Sequence, residues 1–309
     1  MQESVLIVGS MAFDDLEMPY GTFHDVLGGA ATYAAIAASS FAPVRLVGVV
    51  GQDFPGGFLE RLQARGVDLG GVERAPGKTF RWHGRYAADL GSRETIHTAL
   101  NVFADFRPKI PSTYRETPFL LLGNIHPALQ LEVLAQVERP RLVVADTMNL
   151  WIHTERETLG ELLRKVDVLS INDEEARDLT GHGLLRKAAD ALRAMGPRRV
   201  IIKKGEHGSA LFDDEGVFFV PAYPLDALRD PTGAGDSFAG ALLGFLARTG
   251  RTDGLALRQA MLVAATVASF GVEGLGPERL LSLEHTELAA RLRAVESMMN
   301  YGGSLPALA

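Results

Sequence analysis

The strongest constraint on how this chain can fold is a recurring unit: a short, unbroken apolar run, then a polar or glycine stop, then a stretch with helical spacing. The apolar runs occupy residues 4–9, 44–50, 120–123, 142–146, 168–172 and 200–203. A strand that is apolar on both sides has to be buried on both sides, as strands of a parallel sheet are. Helical spacing fills 59–64, 130–137, 158–165, 183–196 and 256–270. This alternation predicts an α/β fold, a doubly wound, mostly parallel sheet with helices on both faces. With 309 residues the chain suffices for one such domain, 1–309.

Two stretches break the rhythm, approximately 12–24 and 78–103. The second gathers Arg81, Trp82, His83, Arg85 and Tyr86 and is interrupted by Gly84 and Gly91. Both read as polar antiparallel hairpins inserted into the main domain. The tail after Met299 reads as loose.

Composition removes several classes of function. Net charge is −7 with a pI near 5.7, so no basic surface exists to neutralise a nucleic-acid backbone. Cysteine is absent, which excludes disulfides, thiolate nucleophiles and Cys-based metal sites. The start lacks a basic, apolar leader, and the small-residue run 28–38 reads as a buried helix rather than a membrane span. Cytoplasmic location is expected. The eight histidines show no paired ligand spacing, so no zinc site is expected.

The chemistry concentrates in Asp230-Pro231-Thr232-Gly233-Ala234-Gly235-Asp236-Ser237-Phe238. The glycines leave the backbone bare where a helix begins, and the unpaired N–H groups of a first helical turn favour an anion. A carboxylate beside such a spot calls for a reason, and general-base work on a substrate hydroxyl supplies one. The alternative is an Asp capping its own helix.

This run resembles the C-terminal signature of the ribokinase-like (PfkB-type) carbohydrate and nucleoside kinases. The resemblance implies a ribokinase-like fold with a small β-sheet lid, built from the two odd stretches. It makes Asp236 the catalytic base and the amides of Gly233, Ala234, Gly235 and Asp236 an anion hole. Gly28-Gly29 is similar to the family's first signature, where bare backbone approaches the acceptor; Tyr33 stands where the family often has Asn. Asp14 matches the residue that clamps acceptor hydroxyls, with Asp15 adjacent as the other candidate. Asn172-Asp173-Glu174-Glu175 fits the family's Asn-x-x-Glu, in which the Glu helps position hydrated Mg²⁺; a plain helix cap is the alternative. Lys203, Gly205 and Gly208 belong to the turn beside the nucleotide, and Thr232 is placed there too. Asp230 and Thr232 mark where many relatives bind a monovalent cation such as K⁺. Among polar residues at strand ends and lid edges (Asn101, Asn124, Asp146, Asn149), Asn101 is the first choice for a substrate contact. Arg81 and Arg85 are the lid arginines weighed for the acceptor.

Two tempting signals fail. Pro76-Gly77-Lys78-Thr79 lacks the glycine a phosphate loop needs at position 72, which is Val72, and no Gly-x-Gly-x-x-Gly follows the first strand. The expected activity is ATP-dependent phosphorylation of a sugar-like hydroxyl. A nucleoside kinase and a non-catalytic sugar or nucleotide sensor are the rivals, and a dehydrogenase is disfavoured. Partners are the small acceptor and ATP, not nucleic acid or membrane; monomer and homodimer through the lid both stay open.

Overall fold

The computed structural model describes residues 3–300. Its strands are β1 (Val5–Val8), β2 (Ala12–Met18), β3 (Gly21–Gly28), β4 (Val44–Val50), β5 (Val67–Arg74), β6 (Phe80–Tyr86), β7 (Arg93–Ala99), β8 (Phe119–Leu122), β9 (Leu142–Asp146), β10 (Val168–Asn172), β11 (Arg199–Lys203), β12 (Ser209–Asp213) and β13 (Gly216–Val220). Its helices are α1 (Ala30–Ser39), α2 (Gly56–Ala64), α3 (Pro127–Leu134), α4 (Asn149–Thr154), α5 (Arg156–Leu163), α6 (Asp173–Thr180), α7 (Leu185–Ala194), α8 (Ala234–Thr249), α9 (Gly254–Gly271), α10 (Glu278–Leu281) and α11 (His285–Met298).

Nine strands make the main sheet, in the order β13-β12-β11-β10-β9-β8-β1-β4-β5. From β5 to β11 every pairing is parallel; β12 and β13 add an antiparallel edge. The chain winds outward from β1 through β4 and β5, then returns through β8 and runs the other way. The switch between β1 and β8 opens a crevice at the carboxyl ends of the strands, where ligands of doubly wound sheets bind.

Alternation along β1 shows why the apolar runs are unbroken. Val5 and Ile7 enter a core layer with α1, α8 and α9, whereas Leu6 and Val8 enter another with α3, α5, α6 and α7. Both faces are dry, so neither can carry polar residues. The helices α1 and α8 pack closely through small residues, Gly240 and Gly244 of α8 lying against the backbone at Ala34 and Ala38. α9 is long and apolar enough to cross a membrane by length and composition, but 67% of it is buried in the fold, packed on α8.

The second sheet is small, with order β3-β2-β6-β7. Its hairpins β2–β3 and β6–β7 are antiparallel, and a parallel β2–β6 pairing joins them. One face carries Leu16, Met18, Trp82 and Tyr86, packed with Phe23, Val26, Leu90 and Leu275. The other face carries ion pairs, Arg81 with Asp15 and Asp25, and Arg85 with Glu17 and Glu94.

Several boundaries differ from those read in the sequence. The helix expected at 130–137 is α3, starting three residues earlier, because Pro127 suits a first turn and His126 Nδ1 accepts the Ala128 N–H. The strands β5 and β13 were not foreseen. They edge the sheet and mix polar with apolar residues, so no continuous run marks them. The expected loose tail lies almost wholly outside the described residues.

Candidate active site

Most of the residues singled out in the sequence meet at the carboxyl end of the parallel strands. The turn before α8 is the centre. Gly233 is the helix N-cap in the left-handed region, φ 73°, which no residue with a side chain adopts without strain. A side chain there would also collide with the Tyr33 ring, which lies directly beneath. Ala234 N–H is taken up by the Pro231 carbonyl at 3.2 Å. The N–H groups of Gly235 and Asp236 find no carbonyl acceptor among the described residues. Of the four amides expected to form an anion hole over Gly233–Asp236, that of Ala234 serves the turn.

A cation faces this turn. Lys203, at the end of β11, places its Nζ 2.9 Å from where a Gly235 Cβ would stand. It pairs with Asp146 Oδ2 at 2.9 Å, from the end of β9. Burial presses against the Lys203 charge, but Asp146, Glu175 and Asp236 outweigh it and hold the ammonium above its ordinary range. Burial and then Asp146 raise the Asp236 carboxyl to about 6, with Lys203 and Arg93 opposing. A carboxylate so poised is ionised near neutral pH and a better base than an ordinary Asp.

Asp14 stands on the opposite wall, on β2, and is 4% exposed. Its carboxylate lies against Gly28, where any side chain would overlap it. Burial, then the Asp230 charge, push the Asp14 carboxyl up to about 8, against the pull of Arg93. Asp15 points to the other lid face and is held by Arg81 at 2.9 Å, so Asp14 is the carboxyl that faces the cleft. Gly29 caps α1, whose Ala30 N–H donates to Ser10 Oγ at 3.1 Å. Tyr33 is 2% exposed, and its hydroxyl has no partner among the described residues. Burial and the charges of Asp230 and Asp14 keep this phenol neutral, and so a donor.

The remaining residues take more structural positions. Asn172 and Glu175 form a reciprocal cap on α6: Asn172 Oδ1 accepts the Glu175 N–H at 2.7 Å, and Glu175 Oε2 accepts the Asn172 N–H at 3.0 Å. Glu175 is buried, and burial and then Asp146 raise its carboxyl to about 7, with Lys203 opposing. Asp230 joins two loops, accepting N–H bonds from Thr232 at 2.9 Å and Gly276 at 3.0 Å. Gly205 and Gly208 bracket the tight turn between β11 and β12. Asn101 is exposed in the left-handed region, φ 49°, and its amide donates to the Thr79 carbonyl at 2.8 Å. There it ties the base of the lid. Asn124 accepts from Trp151 Nε1 at 3.0 Å.

Sequence reading missed three contributors. Asp146 was one of several strand-end polar residues until the fold paired it with Lys203. Tyr86, on the lid, shares a 2.7 Å hydrogen bond with Thr232 Oγ1 of the signature turn. Arg93 acts electrostatically on Asp14, Asp236 and Glu175, whereas Arg81 and Arg85 lie on the far lid face. Counting in twos from Tyr86 would have separated the lid faces.

Kinship with known proteins agrees with this geometry. The pattern of the pfkB family carbohydrate kinases matches residues 2–282. The cytidine kinase of Thermococcus kodakarensis is 32% identical over 244 residues, 77% of this chain and 87% of that protein. A fructokinase from Vibrio cholerae O395, solved with fructose, ADP and calcium ion, superposes with a TM-score of 0.77 at 20% identity, covering 94% of this chain and 99% of its own. The nucleoside kinase of Methanocaldococcus jannaschii, an archaeal member of the ribokinase family, superposes at 0.74 and 20% identity, covering 94% and 98%. With a ribokinase-like fold and the family's sequence pattern running from end to end, the chain belongs to the pfkB family of carbohydrate kinases.

Proposed function

We propose that the protein transfers the γ-phosphoryl group of ATP to a hydroxyl, a primary one by preference, of a sugar or sugar-like molecule. The observation that carries this reading is the meeting of Asp14, Asp236 and Lys203 around the open first turn of α8. Asp14 and the Tyr33 phenol hold the acceptor through its hydroxyls. Asp236 takes the proton of the attacking hydroxyl as its oxygen bonds to the γ-phosphorus, and the bond to the bridging oxygen of ADP breaks. The Gly235 and Asp236 amides and the Lys203 ammonium take up the charge that spreads over the phosphoryl oxygens. Positioning and electrostatics supply most of the acceleration.

Mg²⁺ fits the donor set in a limited way. No cluster of three acidic or histidine side chains able to hold a metal occurs among the described residues. Hydrated Mg²⁺ needs only one or two carboxylates plus substrate phosphates, and Glu175 has one oxygen free of its cap. When bound it neutralises the nucleotide phosphates. Asp230 and Thr232 would hold a monovalent cation such as K⁺, sharing carboxylate oxygens that already join two loops. Use of ATP and a small polar acceptor suits a cytoplasmic enzyme, as a monomer or as a homodimer through the lid.

A second reading, a nucleoside acceptor, is compatible with the likeness to a cytidine kinase. One experiment separates them: ADP release with MgATP across pentoses, hexoses, sugar acids, cyclitols and nucleosides, with Asp236→Asn as control. Acceptor-dependent turnover lost in the variant is expected. Folded protein that binds ATP but turns over no acceptor would leave a sensor as the better reading.

A further inference from the structure

The lid carries three arginines with unlike surroundings. Arg81 and Arg85 are matched by carboxylates on the solvent face. Arg93 has no carboxylate within 4.0 Å among the described residues. It begins β7 directly opposite Tyr86 of β6. Residues opposed in an antiparallel pair share a face, so Arg93 projects on the side of Tyr86. That side is fixed by contact: the Tyr86 hydroxyl meets Thr232 Oγ1 at 2.7 Å, in the turn that leads to Asp236. The Arg93 guanidinium lies over the Trp82 ring on the same face, 5.8 Å from its centroid.

The groups this cation acts on mark its place. Its charge opposes the burial that raises Asp14, Asp236 and Glu175. Those three residues come from the β2 wall, the turn before α8 and the start of α6, so Arg93 lies within electrostatic reach of all three from the Tyr86 side of the lid. It forms an ion pair with none of them. An arginine on the cleft side of the lid with no carboxylate paired to it suits a planar or tetrahedral oxyanion. Asp236, ionised near neutral pH, faces the same space and repels an anionic acceptor.

We infer that Arg93 is a catalytic residue of the lid: with acceptor and nucleotide bound, its guanidinium contacts the phosphoryl group in transfer, and the lid thereby completes the anion hole from above. This rests on the phosphoryl-transfer reading. Arg93 neither gives nor takes a proton; it stabilises the charge on the phosphoryl oxygens between the breaking bond to ADP and the forming bond to the acceptor.

The test uses Arg93→Ala, Arg93→Lys and, as an outer-face control, Arg85→Ala. Steady-state turnover is measured with MgATP and the best acceptor of the panel. Binding of MgADP is titrated with and without aluminium fluoride, which imitates the phosphoryl group in flight and needs no acceptor. Arg93→Ala should lower kcat by about 10²–10³-fold with both KM values within about threefold, as for loss of one oxyanion donor. Arg93→Lys should recover part of the loss. Added guanidinium ion should raise the turnover of Arg93→Ala, which a merely structural role would not produce. Aluminium fluoride should tighten MgADP binding in wild type and in Arg85→Ala, not in Arg93→Ala. A rise in acceptor KM at unchanged kcat would move Arg93 to the acceptor and overturn the inference, and so would wild-type kinetics. If wild type itself shows no turnover and no fluoride effect, the phosphoryl-transfer reading has failed first. Wild-type activity with an unaffected Arg93→Ala isolates the failure to this inference.

Discussion

Around Asp14 the cleft buries carboxyl groups that lack a close cation; around Lys203 it buries a cation already met by a carboxylate. Asp14, Asp230 and Tyr33 crowd the acceptor half, with Asp14 raised to about 8 by burial first and Asp230 second, and with the Tyr33 hydroxyl unpartnered. In the phosphate half, Lys203 pairs with Asp146 at 2.9 Å, and Asn172 and Glu175 satisfy each other across a helix start. The Asp14 side thus gathers raised carboxyls and an unpartnered phenol, whereas the Lys203 side holds a matched ion pair and a reciprocal cap. Unsatisfied polar groups in a buried wall are costly, so the acceptor is the ligand that should relieve this fold most.

The sharpest way to break the comparison is at the point where the halves meet. Asp236→Asn keeps the size and loses the base, so kcat should fall by roughly 10²–10⁴-fold while MgATP binding persists. Near-wild-type turnover in this variant would remove Asp236 from the chemistry. On the phosphate side, Lys203→Met strips the charge beside Gly235 and leaves Asp146 buried without its cation. Turnover should drop by about 10²-fold, and stability by roughly 3–5 kcal/mol in a denaturant titration. A stable variant with normal ATP affinity would show that this half does not depend on the pair.

On the acceptor side, Gly28→Ala should displace the Asp14 carboxylate that lies against Gly28. Acceptor KM should rise about tenfold or more while MgATP affinity measured by calorimetry stays put. A matching loss of both would mean that the halves are one unit.

The raised Asp14 carboxyl can be read from pH. A carboxyl raised from 3.8 to about 8 in the folded protein binds its proton there and not in the unfolded chain. Its contribution is full below about pH 4 and is lost as pH rises towards about 8, so ligand-free stability should decline across that window. Asp14→Asn should flatten the decline and gain roughly 1–3 kcal/mol at pH 8 while losing acceptor binding. An unchanged slope would place Asp14 in wetter surroundings. The smallest effect concerns turnover: with Asp236 raised to about 6, kcat/KM should climb as pH passes upward through that value, because the base works ionised.

How legible the molecule was follows the same division. The parallel strands announced themselves because both their faces are buried, as the complete exclusion of solvent from Val5 to Val8 illustrates. The turn before α8 was legible because only glycine tolerates φ 73° at Gly233. The edge strands β5 and β13 and the start of α3 were not, since edges mix polar and apolar residues and a cap at His126 depends on one side chain. Asn101 was ambiguous because an Asn at a lid edge serves equally as a ligand contact and as a left-handed turn residue; the fold adds that its amide is bonded to Thr79.

By itself the sequence determined the layered α/β architecture and marked the glycine turn before α8 as the candidate site, because these follow from local rules: apolar periodicity, glycine φ and helix-start chemistry. Only the tertiary structure decided which side chains act together. It set Lys203 against Asp146 across 57 residues, placed Tyr86 against Thr232 across 146, and put Asp15, Arg81 and Arg85 on the lid face opposite to Asp14 and Arg93. Pairings of that kind depend on sheet order and on which face of a strand looks into the cleft, and neighbours in sequence carry no information about either.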